Sequence, residues 1–267
     1  MSKIILITGA SSGIGKSISL FLTYKGFKVY GTCRDPKKYN ISEFELLKCD
    51  INSQVEIQNT VKHILEIENR IDVLINNAGI GIIGPLEETT ESDIKSAFQT
   101  NLLGPIAIIK ECIPSMRENN KGLIINITSV LGYFGIPFRG IYCATKSSLE
   151  IIGEVFSMEL KKFNINVVNV APGDFKTDIA SRRIDSKLHN LSNYTDDYSK
   201  SLKSANKHVE NASNPDLVSK LIYKIINSKH PKIHYKVGQF IQKFSIVLKN
   251  ILPDRLYEKI LLNYSKN

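Results

Sequence analysis

Residues 4 to 15 read Ile4-Ile5-Leu6-Ile7-Thr8-Gly9-Ala10-Ser11-Ser12-Gly13-Ile14-Gly15. A continuous run of four apolar residues fits a strand covered on both faces. The glycines after it let the backbone turn tightly and approach another group closely. From Gly13 to Tyr24 the pattern has helical period. A strand that passes through a glycine-rich turn into a helix aims unsatisfied N–H groups and a positive dipole end at one point, which suits a pyrophosphate. A glycine cluster alone could be a structural turn, so the flanking strand and helix carry the reading.

Outward from this stretch, short apolar runs alternate with longer helical patterns. Strands are expected at Ile4 to Thr8, Lys28 to Gly31, Glu45 to Cys49, Val73 to Asn76, Leu123 to Thr128, Asn166 to Val170 and Lys232 to Tyr235. Helices are expected at Gly13 to Tyr24, Gln54 to Glu66, Thr90 to Met116, Tyr142 to Phe163 and Pro215 to Asn227. This alternation predicts an α/β fold: a single-domain, doubly wound parallel sheet (Rossmann fold) of about seven strands with helices on both faces. Such sheets bind ligands beyond the C-terminal ends of their strands, so residues that follow strands are the site candidates.

The chain has 267 residues, 42% hydrophobic and 23% charged, with a formal net charge of +9. Apolar content is too high, and Gly and Pro too sparse, for a disordered or fibrous chain. A basic balance raises nucleic acid or an anionic membrane as partners. Residues 1 to 177 carry 19 basic and 18 acidic side chains, however, whereas residues 178 to 267 carry 16 and 8. With no recognised binding motif and no aromatic-basic cluster, a nucleic-acid partner is not expected. Cys33, Cys49, Cys112 and Cys143 form no CxxC pair and no Cys/His cluster, and the five histidines lack metal spacing; no metal site is expected. No signal h-region and no spanning apolar run is present, so the expected location is a reduced cytoplasm.

Further motifs lie at strand ends. Asn76-Asn77-Ala78-Gly79 follows the fourth strand, Ser129 the fifth, and Pro172-Gly173 with Thr177 the sixth; Asn101 lies in a helical segment, and Tyr142-Cys143-Ala144-Thr145-Lys146 reads YxxxK. With Gly9-Ala10-Ser11-Ser12-Gly13-Ile14-Gly15 these resemble, in order and in register over residues 4 to 177, the short-chain dehydrogenase/reductase family. The resemblance implies a Tyr-dependent oxidoreductase that interconverts a ketone or aldehyde and an alcohol. A reduced nicotinamide delivers hydride while Tyr142 acts as acid/base. It further implies that Asn101 anchors a proton relay to Lys146, that Lys146 holds the nicotinamide ribose, and that Gly9, Ser11, Ser12, Gly13, Ile14 and Gly15 form the cofactor loop. Asp50 and Ile51 would contact the adenine, Asn77, Ala78 and Gly79 the ribose, Pro172 and Gly173 the nicotinamide face, and Thr177 the carboxamide. The family is usually dimeric or tetrameric through helices that include the one carrying Tyr142, so a homodimer or homotetramer is expected.

The chemistry also follows from residue types. Tyr142 and Lys146 are four apart, hence on one helix face. A phenol is a poor base near neutral pH, but an adjacent ammonium lowers its pKa and lets it exchange a proton with a carbonyl or alcohol oxygen. Taken alone, such a pair reads more simply as a core aromatic beside a surface lysine, since i,i+4 Tyr/Lys pairs are common. Ser129, just past a buried strand, would orient the carbonyl or else cap a turn. Asp50 reads alternatively as a helix N-cap, and Asn101 as a polar residue near a kink at Gly104-Pro105.

The end of the second strand discriminates between the nicotinamides, because an acid there binds the ribose 2′-OH. Here Cys33 occupies the usual acid position and Arg34 follows, so Arg34 is expected to pair with a 2′-phosphate and NADP(H) is expected as cofactor. Asp35 could instead turn inward.

Residues 178 to 214 take the family's substrate-lid position within a domain of residues 1 to 238, and Tyr133, Phe134 and Phe138 suggest an aromatic pocket wall. Residues 239 to 267 form a basic amphipathic extension of two helical stretches separated by Pro253. Such a stripe can lie on an anionic membrane, but packing on its own domain or a sister subunit is the commoner use and is the expectation. A dinucleotide-sensing protein that lost the reaction is the competing reading; the intact Asn101, Ser129, Tyr142 and Lys146 oppose it.

Overall fold

A computed structural model describes residues 2–177, 182–186, 188, 192–210 and 212–266. Strand β1 (Ile4–Ile7) is fully buried and divides its side chains by the two-residue period of a strand: Ile4 and Leu6 enter one core, Ile5 and Ile7 the other. The first core receives Ile57, Val61 and Ile64 of α2 (Gln54–Glu68), which follows β2 (Lys28–Cys33) and β3 (Glu45–Lys48). The second receives Ile18 and Leu22 of α1 (Gly13–Tyr24). Helices on both faces explain why β1 tolerates no polar residue.

β1 pairs with β2 and with β4 (Val73–Asn76), and β4 pairs with β6 (Gly122–Ile127) beyond the two-residue strand β5 (Ile82–Ile83). β6 pairs with β7 (Ile165–Pro172). The seven-stranded parallel sheet has the order β3-β2-β1-β4-β6-β7-β9, closing on β9 (His234–Val237). β5 pairs separately with β8 (Ile184–Asp185), a two-stranded element too short to leave a sequence pattern. β7 runs two residues past the expected Val170, which carries Pro172 onto the ligand edge.

The helix expected from Thr90 to Met116 is divided. α3 (Glu91–Phe98) leads into a π-helical turn, Gln99–Leu103, and α4 (Gly104–Glu118) resumes with Pro105 in its first turn. Pro105 lacks the N–H that a continuous helix would require, and the wider turn holds Asn101, fully buried. α5 (Gly140–Glu159) carries Tyr142 and Lys146. α6 (Thr195–Glu210) lies in the expected lid segment, part of which falls outside the described residues. α7 (Asp216–Ile226) packs beside α1, and α8 (Phe240–Ile251) and α9 (Asp254–Lys266) end the chain on either side of Pro253.

Candidate active site

Thr8, at the end of β1, sets the floor of the site. Its hydroxyl accepts the backbone N–H groups of Asn77 and Ala78, each at 3.0 Å, and Asn77 Nδ2 donates to the carbonyls of Thr8 and Gly9, also at 3.0 Å. The turns after β1 and β4 are thereby tied together. Gly9 is required at this junction: its φ is +68°, and a Cβ there would lie 2.9 Å from Ala78 Cα. No side chain caps the first turn of α1, and Gly13 and Ile14 line the adjoining cavity, so N–H donors remain for an anion. These features fit a dinucleotide pyrophosphate.

The cavity, about 630 Å³, opens along the C-terminal ends of the strands. Every site residue expected from the sequence lines it except Gly15 and Asn101. Gly15 lies behind the loop, where a Cβ would meet Asn77 Nδ2 at 2.3 Å. Asn101 is a layer deeper: its Oδ1 accepts Ile80 N–H at 2.8 Å, and its Nδ2 donates to Ile80 O and Thr145 Oγ1. Gly79 leaves open the space toward which Asn101 Oδ1 and Lys146 Nζ both point.

Ser129 ends the strand-to-turn segment after β6 and hydrogen-bonds the Tyr142 phenol. Lys146 is buried and donates from Nζ to Ile127 O at 3.0 Å, while Nζ stands 5.9 Å from the centre of the Tyr142 ring. Burial holds Lys146 down at about 8, opposed by the Glu150 carboxylate. The structure changes the expectation for Tyr142. Burial pushes its phenol up to about 12, and the groups that pull it back are Ser129 and Arg139. At neutral pH Tyr142 is therefore a protonated acid in the free protein.

At the cofactor edge, Arg34 is exposed on the cavity rim, and Asp35 is turned to Lys38 at 3.3 Å. Asp50 does not cap α2. Ser53 does, accepting Glu56 N–H, and Glu56 reaches back to Asp50 N–H at 2.8 Å; the Asp50 carboxylate is left on the cavity wall, where it accepts Asn52 N–H.

The aromatic wall expected from Tyr133, Phe134 and Phe138 is not there. Phe134 packs on Tyr257 of α9, Phe138 packs on Tyr194 and Tyr198, and Tyr133 reaches His234. The extra helices of the C-terminal third draw these rings away from the cavity. Arginines take their place. Arg139 and Arg183 line the cavity and lie close enough for each cation to act on the other, and burial with Arg139 lowers the Arg183 pKa. Arg182 Nη1 donates to Ser12 Oγ at 2.8 Å, joining the lid segment to the glycine loop.

Sequence reading also missed a polar cluster beneath Lys146. Thr128 Oγ1 donates to Glu150 Oε1 at 2.5 Å, and His234 Nδ1 lies 3.1 Å from Glu150 Oε2 while its Nε2 lies 3.2 Å from Glu154. The i,i+4 spacing of Lys146 and Glu150 was the available signal. Among the described residues no group of three potential ligands could hold a metal ion.

A family model described as short chain dehydrogenase matches residues 3–187. The chain belongs to the short-chain dehydrogenase family. As a member it is an NAD(P)-dependent oxidoreductase acting on carbonyl and CH–OH groups. This short-chain dehydrogenase is 38% identical over 260 residues to the 3-ketodihydrosphingosine reductase of Bacteroides thetaiotaomicron, with 97% of this chain and 96% of that one covered. A short-chain dehydrogenase from Streptomyces avermitilis superimposes with a TM-score of 0.81 at 26% identity, covering 97% of each chain. ElxO with NADP bound matches at a TM-score of 0.72 and 26% identity, covering 89% of this dehydrogenase and 97% of that chain.

Proposed function

We propose that this short-chain dehydrogenase is an NADP(H)-dependent reductase of an amphiphilic ketone, with Tyr142 as the proton donor. The observation that carries the reading is the meeting of Ser129, Tyr142 and Lys146 in one cavity with the glycine loop and Arg34. NADPH, when bound, supplies the hydride. Gly9, Ser11, Ser12, Gly13 and Ile14 hold the pyrophosphate, with Arg182 over Ser12 as a further cation. Arg34 takes the 2′-phosphate, since Asp35 is engaged by Lys38. Asp50 and Ile51 meet the adenine, Asn77 to Gly79 the ribose, and Pro172, Gly173 and Thr177 the nicotinamide end.

Ser129 Oγ orients the substrate oxygen, and Tyr142 protonates it as negative charge develops there. A phenol held near 12 is protonated at neutral pH and so is in the right state to give the proton that reduction requires. Lys146, protonated below about 8, stabilises the phenolate left behind, and Asn101 orients the path for its reprotonation. Residues 178 to 214 act as the substrate cover. The ketone class is drawn from the similarity to the 3-ketodihydrosphingosine reductase. Four free, buried cysteines suit a reduced cytoplasm. The exposed Ile151, Val155 and Met158 on α5 suit a homo-oligomer interface.

The test is NADPH consumption with 3-ketodihydrosphingosine and a panel of simple ketones. Turnover of a long-chain ketone with NADPH, in preference to NADH, is expected. Tight NADPH binding without turnover of any carbonyl, or a preference for NADH, overturns the reading.

A further inference from the structure

α8 presents its two sides in reverse. On the inward side, Gln242 accepts Asp174 N–H at 3.1 Å and donates to Asp174 Oδ2, Ser245 bonds Gln242 O, and Lys249 Nζ reaches Tyr133 O at 2.7 Å; Ile246 is the one buried apolar residue. On the outward side, Phe240, Ile241, Phe244, Val247 and Ile251 lie within about a third of the helical circumference. Phe240 is 74% exposed, Ile241 71% and Ile251 70%, and the rings of Phe240 and Phe244 stack on each other at 5.6 Å. A surface helix normally does the opposite. A contiguous apolar face of this kind marks a docking surface.

We propose that this face docks α8 in the plane of an anionic lipid bilayer, with the side chains of Phe240, Ile241, Phe244, Val247 and Ile251 entering the acyl boundary. Charge selects the occupant. Residues 239 to 267 hold five cationic side chains against two acidic ones. A two-fold contact through α8 would bring two such cationic tails together, whereas an anionic bilayer surface neutralises them. The exposed apolar face of α5, flanked by Glu154, lacks that surplus and offers the subunit contact instead. No helix among the described residues is long and apolar enough to cross a membrane, so the attachment is peripheral.

The position of α8 gives the docking a purpose. Gly173 and Asp174 line the catalytic cavity, and the Gln242 side chain fills the place where a Gly173 Cβ would stand, 1.9 Å from Oε1. The docking helix is thus bound to the cavity rim, and an attached molecule opens its site beside the lipid surface. That consequence rests on the amphiphilic ketone proposed above; the docking itself does not.

The experiment is sedimentation of the full chain with vesicles of phosphatidylcholine containing about a third phosphatidylglycerol, and with pure phosphatidylcholine vesicles. Wild type is expected to co-sediment at least tenfold more strongly with the anionic vesicles, and to be released by high salt. The double variant Phe240→Ser, Phe244→Ser is expected to lose at least tenfold in vesicle binding. It should retain wild-type turnover of a short, water-soluble ketone and wild-type mass on size exclusion. Ile151→Ser should bind vesicles as wild type does. Equal sedimentation with and without anionic vesicles overturns the proposal, as does unchanged binding by the double variant. A fall in oligomer mass in that variant overturns it in favour of a second copy. Because docking is read without turnover, its failure is separable from failure of the ketone assignment.

Discussion

Within residues 1 to 177 the central strands tie buried asparagines to one another, whereas α8 and α9 bury little and turn apolar groups outward. In the sheet, Asn76 Nδ2 donates to Asn126 Oδ1 and Asn126 Nδ2 to Asn169 Oδ1, each at 3.0 Å, and Asn169 Nδ2 donates to Glu150 O at 2.8 Å. These asparagines are register partners on β4, β6 and β7, immediately below the catalytic residues. A one-residue slip would strand three buried carboxamides, so the ladder fixes the strand ends that carry Asn77, Ser129 and Pro172. In α8 the polar residues instead fasten a helix to the cavity rim, and Phe240, Ile241 and Ile251 stand largely exposed on its other side. Net charge follows the same division, near balance in the first region and strongly positive in the second. The first region is specified by its own interior; the second is shaped by something outside the molecule.

The largest expected effect breaks the first region's chemistry without touching its fold. Tyr142→Phe keeps the ring and removes the proton, so turnover with NADPH should fall by about 10² to 10⁴-fold. NADPH binding followed by fluorescence should be unchanged. Retention of more than a tenth of wild-type turnover would remove Tyr142 from the proton-donor role.

Next comes the ladder. Asn126→Leu leaves Asn76 Nδ2 without an acceptor and Asn169 Oδ1 without a donor, which costs about 2 to 4 kcal/mol in urea unfolding. A loss below about 1 kcal/mol would mean the central sheet holds its register by apolar packing alone. Arg34→Ala should lower the NADPH to NADH ratio of kcat/KM by about 10 to 100-fold, the value of a charge-assisted contact. An unchanged ratio would return cofactor selection to Asp35.

The same division governs what could be read in advance. The central strands were legible because a doubly covered strand is mainly apolar, as β1 is throughout and β4 and β6 are apart from Asn76 and Asn126; β3 and β9, at the sheet edges, were legible by their place in the alternation with helices. Most of the cavity residues were legible because they follow strands directly, and Tyr142 and Lys146 by their four-residue spacing on α5. The π turn at Gln99–Leu103 was not, since one extra residue per turn scarcely disturbs an apolar period. The pairing of His234 with Glu150 joins positions 84 apart in sequence, and no local pattern reports it. Tyr133, Phe134 and Phe138 misled for a related reason: an aromatic run looks the same whether it faces a cavity or a helix packed on from the C-terminal third.

Removal of a cation should have different consequences in the two regions, and in the second it gives the smallest effect expected. Lys146 has a folded pKa of about 8 against 10.5 for an unperturbed lysine, so burying its charge opposes folding by about 3 kcal/mol near neutral pH. Lys146→Met removes that charge but leaves Ile127 O unpaired, which costs about 1 kcal/mol. The variant without bound cofactor should therefore be inactive yet more stable by about 2 kcal/mol at pH 7. Between pH 8 and 10.5 the unfolded wild-type chain binds more protons than the folded one, so wild-type stability rises with pH there. The advantage of the variant is full below pH 8 and gone above about 10.5. Lys243→Gln on α8 should change stability by no more than about 0.5 kcal/mol at any pH in that range, because among the described residues its ammonium forms no ion pair. Urea titrations of both variants at pH 7 and pH 10 check the pair. A destabilised Lys146→Met would show that the buried ammonium supports the fold, and a destabilised Lys243→Gln that the tail's cations do; either result would erase the contrast between a region built inward and one built to face a surface.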